Sequence, residues 1–291
     1  MSFASAIVEP LRFPFMVRGL IAATSVGGLC GVIGAFVVLR GMAFMGDAIA
    51  HSILPGLAAG ALTVGRGDRR ALFWWALGTG IAVALGMAWV SDRGRVREDT
   101  AVGIVFAAMF ALGIALISTI RGFAVDLVHF LFGNVLGVSN ADLVLVGAFG
   151  GGVLLLVLLL YKELVVVSFD PTLARTLRLP ASVYRYLLFV LIAVTVVVSL
   201  QTVGVGLMLA MLVVPASTAF LVARRLPSMM ALGAALGILS GAIGLYLSFY
   251  WSVASGAAIV LVGIGFFFAA LLFSPRRGLL RPSRRGPAVS S

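Results

Sequence analysis

The sequence is poor in the residues from which most soluble active sites are built. Its 291 residues include one cysteine (Cys30), two histidines (His51 and His129) and one lysine (Lys162), and only 11% are charged. A single cysteine excludes a disulfide or a thiolate metal site within one chain, and Cys30 in its apolar run is predicted to be a small buried hydrophobe. With two histidines there is no HExxH metalloprotease motif, and Ser52 beside His51 makes a poor dyad because adjacent helical residues point about 100° apart.

A nucleotide-binding motif is also missing. The chain has no GxxxxGK[ST] phosphate loop, and Lys162 lies in no such motif. We therefore predict that the chain is not an enzyme, and that it binds no cofactor of its own.

Long hydrophobic runs dominate what is present. The chain is 62% hydrophobic with a mean hydropathy of +1.18, whereas soluble domains are about 45–50% apolar. This composition predicts an all-α polytopic membrane protein of about 8–9 transmembrane helices, with a single transmembrane domain over 1–275 and a basic cytoplasmic tail over 276–291. The predicted spans are 17–39, 71–91, 100–120, 143–161, 186–201, 203–222, 228–249 and 256–273.

The basic residues indicate orientation rather than nucleic-acid binding. The net charge is +11, but the arginines lie mostly in loops and tails, as the positive-inside rule describes, and not in a stripe with aromatics. We predict that four segments are cytoplasmic: the tail, 93–97, 162–185 and 224–225. The chain as a whole is predicted to lie in the plasma (inner) membrane of a bacterium. The loop 66–70 then falls outside against the rule, which indicates a re-entrant element near 42–65 and leaves eight or nine crossings open.

Asp47 and His51 are the most informative pair in the chain. They lie four residues apart in an apolar segment, so on a helix both could reach one cation. Ionisable groups at membrane depth are energetically costly, so their presence indicates a functional role. The alternative is a structural ion pair or hydrogen bond. Pro55 and Gly56 follow directly, so this segment is predicted to be either a second span or a broken, partly re-entrant helix.

Another acid and histidine, Asp126 and His129, lie three residues apart in a segment too polar for a clean span. They are either a second metal contact near the membrane surface or, more commonly, a solvated interfacial feature. Glu98 and Asp99 are predicted to cap a helix that begins near Thr100, where the helix dipole favours acids.

The hydrophilic interval 168–180 predicts a short capped helix. Asp170 is a good N-cap, Pro171 fits the first helical position, and Leu173 and Leu177 share one face. Such a helix is either a lipid-surface helix or a docking element for a cytoplasmic partner. Elsewhere, glycines predict close helix packing; they are Gly27, Gly28, Gly31, Gly34, Gly233, Gly237 and Gly241.

Several motifs in order along the chain resemble the permease subunits of ABC-type manganese/zinc uptake transporters, the metal ABC permease (ABC-3) family. The most distinctive is RGMAFMGDAIAHSILPG, at 40–56. The others are REDTAVGIVFAAMFALGIALIS (97–118), DLVHFLFGNVLG (126–137), SFDPTLARTL (168–177), VGVGLMLAMLVVPASTA (203–219) and ASGAAIVL (254–261).

The resemblance implies a permease that imports Zn²⁺ and/or Mn²⁺ as a homodimer, with ATP bound and hydrolysed by a cytoplasmic ABC ATPase and metal delivered by an extracytoplasmic receptor. It also implies that Asp47 and His51 line the metal path. The coupling helix would be 170–179, through Asp170, Pro171, Leu173, Ala174 and Leu177. The chain departs from the family where Arg178 replaces a frequent glycine, and at Ser252 and Ala254.

The alternative function is an ion-coupled secondary metal transporter or channel, in which the Asp47/His51 pair works without an ATPase. Such transporters are commonly built from internal repeats, and the two halves of this sequence show no convincing duplication.

Overall fold

The computed structural model describes residues 8–65, 68–120, 135–169 and 171–274, and within these ranges the chain is helical without β-strands. We number the helices in chain order: α1 (Pro14–Leu39), α2 (Met45–Ser52), α3 (Leu54–Thr63), α4 (Arg69–Gly94), α5 (Glu98–Ser118), α6 (Asn140–Leu159), α7 (Tyr161–Phe169), α8 (Pro171–Thr176), α9 (Ala181–Val203), α10 (Val205–Val222), α11 (Leu226–Trp251) and α12 (Ser255–Phe273). A π-helical turn, Val146–Gly150, interrupts α6.

Eight helices are long and apolar enough to cross a membrane: α1, α4, α5, α6, α9, α10, α11 and α12. This confirms the predicted all-α polytopic fold. Each predicted span coincides with one of these helices and differs from it by a few residues at the ends. Most of the helices extend beyond the apolar run into flanking polar positions such as Arg69 and Arg93 in α4, because backbone hydrogen bonding continues past the hydrocarbon boundary.

Ion pairs and hydrogen bonds identify the two ends of the bundle. At one end Arg40 pairs with Glu98, so the end of α1 meets the start of α5. At this same end of the bundle, Asp92 near the C-terminal end of α4 pairs with Arg185 at the start of α9. We call this the arginine-rich end. At the opposite end, where α9 finishes, Gln201 Nε2 donates to Asp142 Oδ1 in the first turn of α6 over 3.4 Å.

The segment with Asp47 and His51 is a broken crossing. A left-handed Gly41 (φ 70°) and a 2.9 Å hydrogen bond from Met42 N–H to Val37 C=O turn the chain from α1 into α2 at the arginine-rich end. Helix α3 leads into the start of α4, which lies at the opposite end. Together α2 and α3 therefore traverse the bundle, and the described ranges favour nine crossings over eight.

Glycines bring α1 and α11 into backbone contact. A Cβ built on Gly31 would lie 2.3 Å from the carbonyl oxygen of Gly233, and one on Gly27 would lie 2.4 Å from that of Gly237. Only glycine permits this approach, which confirms the predicted packing role for these glycines; Gly34 makes a similar approach to the Leu212 carbonyl oxygen of α10. Helices α1 and α9 are the most buried of the spans, whereas α5 and α12 are peripheral. Cys30 is fully buried in α1, as predicted.

Candidate functional site

Asp47 and His51 are the two polar, partly accessible side chains of α2. His51 Nε2 lies 3.4 Å from Asp47 Oδ1, and the two side chains are 30% and 32% exposed. The remaining residues of α2 are buried against the bundle. The eight-residue helix therefore presents one carboxylate and one imidazole on a single accessible side, as the spacing predicts.

An aromatic cluster places the pair near mid-depth. The rings of His51 and Phe110 lie 5.9 Å apart and edge to face, Phe110 stacks on Phe106 at 5.5 Å, and Phe106 meets Phe44 at 5.4 Å. Phe110 stands twelve residues after Glu98 on α5. At about 1.5 Å per residue, His51 lies roughly 18 Å from the arginine-rich end of a bundle built to span about 30 Å.

The helix breaks immediately after the pair. Ile53 ends α2 and precedes α3, and Pro55 stands in the first turn of α3. Pro55 has no amide hydrogen to donate to the carbonyl four residues earlier, which belongs to His51. The break predicted from Pro55 and Gly56 is therefore present, and it separates the polar helix α2 from the more apolar α3.

The spacing of the two donors suits a divalent cation. Nitrogen and oxygen ligands at about 2.1 Å from one tetrahedral ion lie about 3.4 Å from each other. The observed 3.4 Å matches that separation and is longer than the roughly 2.7–2.9 Å of a strong charge-assisted hydrogen bond. Within the described part of the chain no group of three or more His, Cys, Asp or Glu residues comes together that could hold a metal ion.

The predicted docking segment contains the short helix α8. It begins at Pro171, as predicted, whereas Asp170 lies outside the described residues. Leu173 and Leu177 are 42% and 54% exposed on neighbouring turns, while Ala174 is completely buried. The segment thus packs against the protein through Ala174, while Leu173 in α8 and Leu177 just after it are exposed.

Arg178 ends this segment in a strained conformation. Its φ is 53°, in the left-handed region, and the following Leu179 N–H donates to Ala174 C=O over 2.9 Å. This is the helix-ending geometry in which glycine is favoured, because a Cβ there costs about 1–2 kcal/mol.

Comparison with known proteins identifies the family. A family model described as the ABC 3 transport family matches residues 12–274. The chain belongs to the ABC 3 transport family.

Individual relatives of this ABC 3 chain cover almost its whole length. It is 46% identical over 276 residues to the "Manganese transport system membrane protein MntC" of Halalkalibacterium halodurans, covering 95% of this chain and 93% of the relative. It is 34% identical over 282 residues to a "Probable iron transport system membrane protein" of Haemophilus influenzae, covering 96% and 97%. Among solved structures it resembles "PsaBC from Streptococcus pneumoniae in complex with Fab", with a TM-score of 0.79, 36% identity and coverage of 95% and 98%.

The structure adds a polar cluster that the sequence analysis missed. Arg40 pairs with both carboxylate oxygens of Glu98, with Nε to Oε2 at 3.1 Å, and its Nη1 lies 3.5 Å from Ser168 Oγ. Glu98 was predicted only as a cap for a helix beginning near Thr100. The helix begins at Glu98 itself, without a side-chain cap hydrogen bond, and the carboxylate faces Arg40 instead. The signal available in the sequence was that Arg40 is the only charge between α1 and Asp47.

The second predicted pair, Asp126 and His129, lies outside the described residues, as does the basic tail beyond Ser274.

Proposed function

We propose that this chain is the membrane permease of an ATP-driven importer of divalent transition-metal ions, and that Asp47 and His51 contact the ion on its way through. The observation that carries the proposal is the accessible Asp47/His51 pair, with donors 3.4 Å apart near mid-depth in a broken helix. Family membership supports the ATP-driven class over the ion-coupled alternative.

The pair suits transport better than storage. An imported ion must exchange water for ligands and still leave, which requires partial and weak coordination. One carboxylate and one neutral imidazole supply two positions, and a second copy of the chain could supply two more. The phenyl rings of Phe110 and Phe106 beside His51 keep that side of the site apolar, so the ion's interactions concentrate on the two donors.

Manganese is the cargo we propose first. The oxygen and nitrogen donors suit Mn²⁺, Zn²⁺ and Fe²⁺, and the absence of a thiolate from the pair disfavours Cu(I). Relatives bear the words manganese transport or manganese import in their names, and two bear iron transport. Zn²⁺ has support from the donor set and from the spacing of the pair, which matches two ligands of a tetrahedral ion.

Other subunits complete the proposed transporter. ATP would be hydrolysed by a cytoplasmic ABC ATPase that docks on α8 at the arginine-rich end, and an extracytoplasmic receptor would deliver the metal to the opposite end of a permease dimer. The arginine-rich end would face the cytoplasm of a bacterium, following the positive-inside rule.

Metal uptake by cells that carry the whole transporter tests the proposal. Asp47→Ala and His51→Ala should each lower the uptake of radiolabelled Mn²⁺ at least tenfold at normal membrane levels, because each removes half of the chain's side-chain donors at the site. Zn²⁺ and Fe²⁺ tested in parallel identify the cargo. ATP depletion should abolish uptake by the wild type.

Asp99→Ala is the matched control. Asp99 is an exposed acid in the first turn of α5, at the arginine-rich end and away from the pair. Its loss costs a helix-dipole interaction of about 0.3–1 kcal/mol and should leave uptake unchanged. Wild-type uptake by both pair variants would show that the pair is structural, and uptake that survives ATP depletion would overturn the ATP-driven mechanism.

A further inference from the structure

Arg40 joins three helices that are distant in sequence. Its guanidinium contacts Glu98, the first residue of α5, through two nitrogens, and it reaches Ser168 near the end of α7 over 3.5 Å. The side chains of Arg40 and Glu98 are only 10% and 21% exposed. A two-nitrogen arginine–carboxylate pair at this burial fixes both distance and orientation, unlike a surface ion pair.

The contact between Arg40 and Ser168 connects Arg40 to the docking segment. Ser168 lies one residue before Phe169, where α7 ends, and three residues before Pro171, where α8 begins. Any displacement of α8 that carries the end of α7 with it changes the distance from Ser168 to Arg40.

The backbone that follows Arg40 connects it to the metal pair, Asp47 and His51. Arg40 caps the end of α1, and the hydrogen bonds of the following turn (Gly41 N–H to Val38 C=O at 3.1 Å, Met42 N–H to Val37 C=O at 2.9 Å) fix the direction in which the chain leaves. Helix α2 begins five residues after Arg40, and Asp47 is in its first turn.

We propose that Arg40 is a positioning residue that transmits movement of the ATPase-docking segment to the helix that bears Asp47 and His51. The inference rests on the proposed function. Through Glu98, Arg40 also engages α5, whose Phe110 contacts His51, so the same guanidinium is connected to the metal pair by two routes. Its role is to keep ATP hydrolysis and metal movement in step, and it contacts neither the ion nor the nucleotide.

The test measures ions transported per ATP hydrolysed, using the complete transporter purified with its ATPase and receptor and reconstituted in liposomes. Arg40→Ala should retain ATP hydrolysis within about twofold of the wild type and lose roughly tenfold in Mn²⁺ imported per ATP, within the usual 5–150-fold range of coupling between sites. Glu98→Gln should lower the ratio less, because the contact between Arg40 and Ser168 remains, and the double variant should be no worse than Arg40→Ala, which already removes both contacts. Arg40→Lys keeps the charge but not the two-nitrogen geometry and should recover part of the ratio.

Arg93→Ala is the matched control. Arg93 is an exposed arginine in the last turn of α4 at the same end, and it makes no ion pair with any other residue that the structure describes. The Arg93→Ala variant should import as much Mn²⁺ per ATP hydrolysed as the wild type.

The outcomes separate the two proposals. If the wild type imports no Mn²⁺, Zn²⁺ or Fe²⁺ with ATP, the proposed function fails and the inference fails with it. If the wild type imports metal and Arg40→Ala leaves the ratio unchanged, the inference alone fails. If Arg40→Ala lowered Mn²⁺ uptake and ATP hydrolysis by the same factor, the inference would also be overturned, because Arg40 would then serve only folding or assembly of the transporter.

Discussion

Alanine at Gly31 should destabilise the bundle by separating α1 from α11. The new Cβ would lie 2.3 Å from the Gly233 carbonyl oxygen, whereas ordinary contacts begin near 3.4 Å, so the helices must move apart by about 1 Å. Neither side can adapt cheaply, because the obstructing atom belongs to a helix backbone. Overpacking of this kind costs about 1–3 kcal/mol, and the higher helix propensity of alanine offsets up to about 1 kcal/mol.

At the middle of these two ranges the expected net loss for Gly31→Ala is about 1–2 kcal/mol. Heating the purified protein in detergent and following the fraction that stays monodisperse on size-exclusion chromatography measures the apparent melting temperature. At roughly 2–4 °C per kcal/mol for a chain of this order of size, the variant should melt about 2–8 °C lower.

Gly28→Ala is the matched control on the same helix. Its Cβ would meet only the Ile238 side chain, at 3.4 Å, so the substitution should leave the melting temperature unchanged or raise it. If Gly31→Ala and Gly28→Ala had the same melting temperature, the backbone contact between α1 and α11 would not limit stability. The reasoning from close approach would then be refuted.

Two further predictions concern the docking segment. Arg178→Gly should relieve the left-handed strain by about 1 kcal/mol and slow hydrogen exchange of the Leu179 amide about fivefold, whereas Arg178→Ala, which keeps a Cβ, should not. Equal exchange in both variants would contradict the strain. Leu177→Asp should lower co-purification of the ATPase at least tenfold by placing a charge on the exposed apolar face, and Leu177→Met should not. Retention of the ATPase by Leu177→Asp would refute docking at this face.

The features that follow from composition and from local backbone chemistry could be predicted. The spans, the break near Pro55, the start of a short helix at Pro171 and the packing glycines all depend on residues close in sequence. The length of an apolar run, a missing amide hydrogen and a missing Cβ each act on the backbone where they occur.

The partners across the bundle could not be predicted. Arg40 and Glu98 are 58 residues apart, and nothing in either segment indicates the other. The spans are apolar all round, so hydrophobic periodicity does not distinguish the side that faces protein from the side that faces lipid. For that reason the sequence predicts that Gly31 and Gly233 pack closely, but not that they pack on each other. Likewise it places Asp47 and His51 on one face without showing that Phe110 stands beside them.

The placement of both proposed metal donors on one eight-residue helix limits how access to the ion can alternate. Asp47 and His51 are one turn apart on α2, so a tilt or shift of that helix moves the backbone positions of both residues together. An ion held by the pair would keep these two ligands throughout the cycle. The difference between loading and release must then come from the surroundings, through the waters or groups that complete the coordination and the opening through which the ion departs.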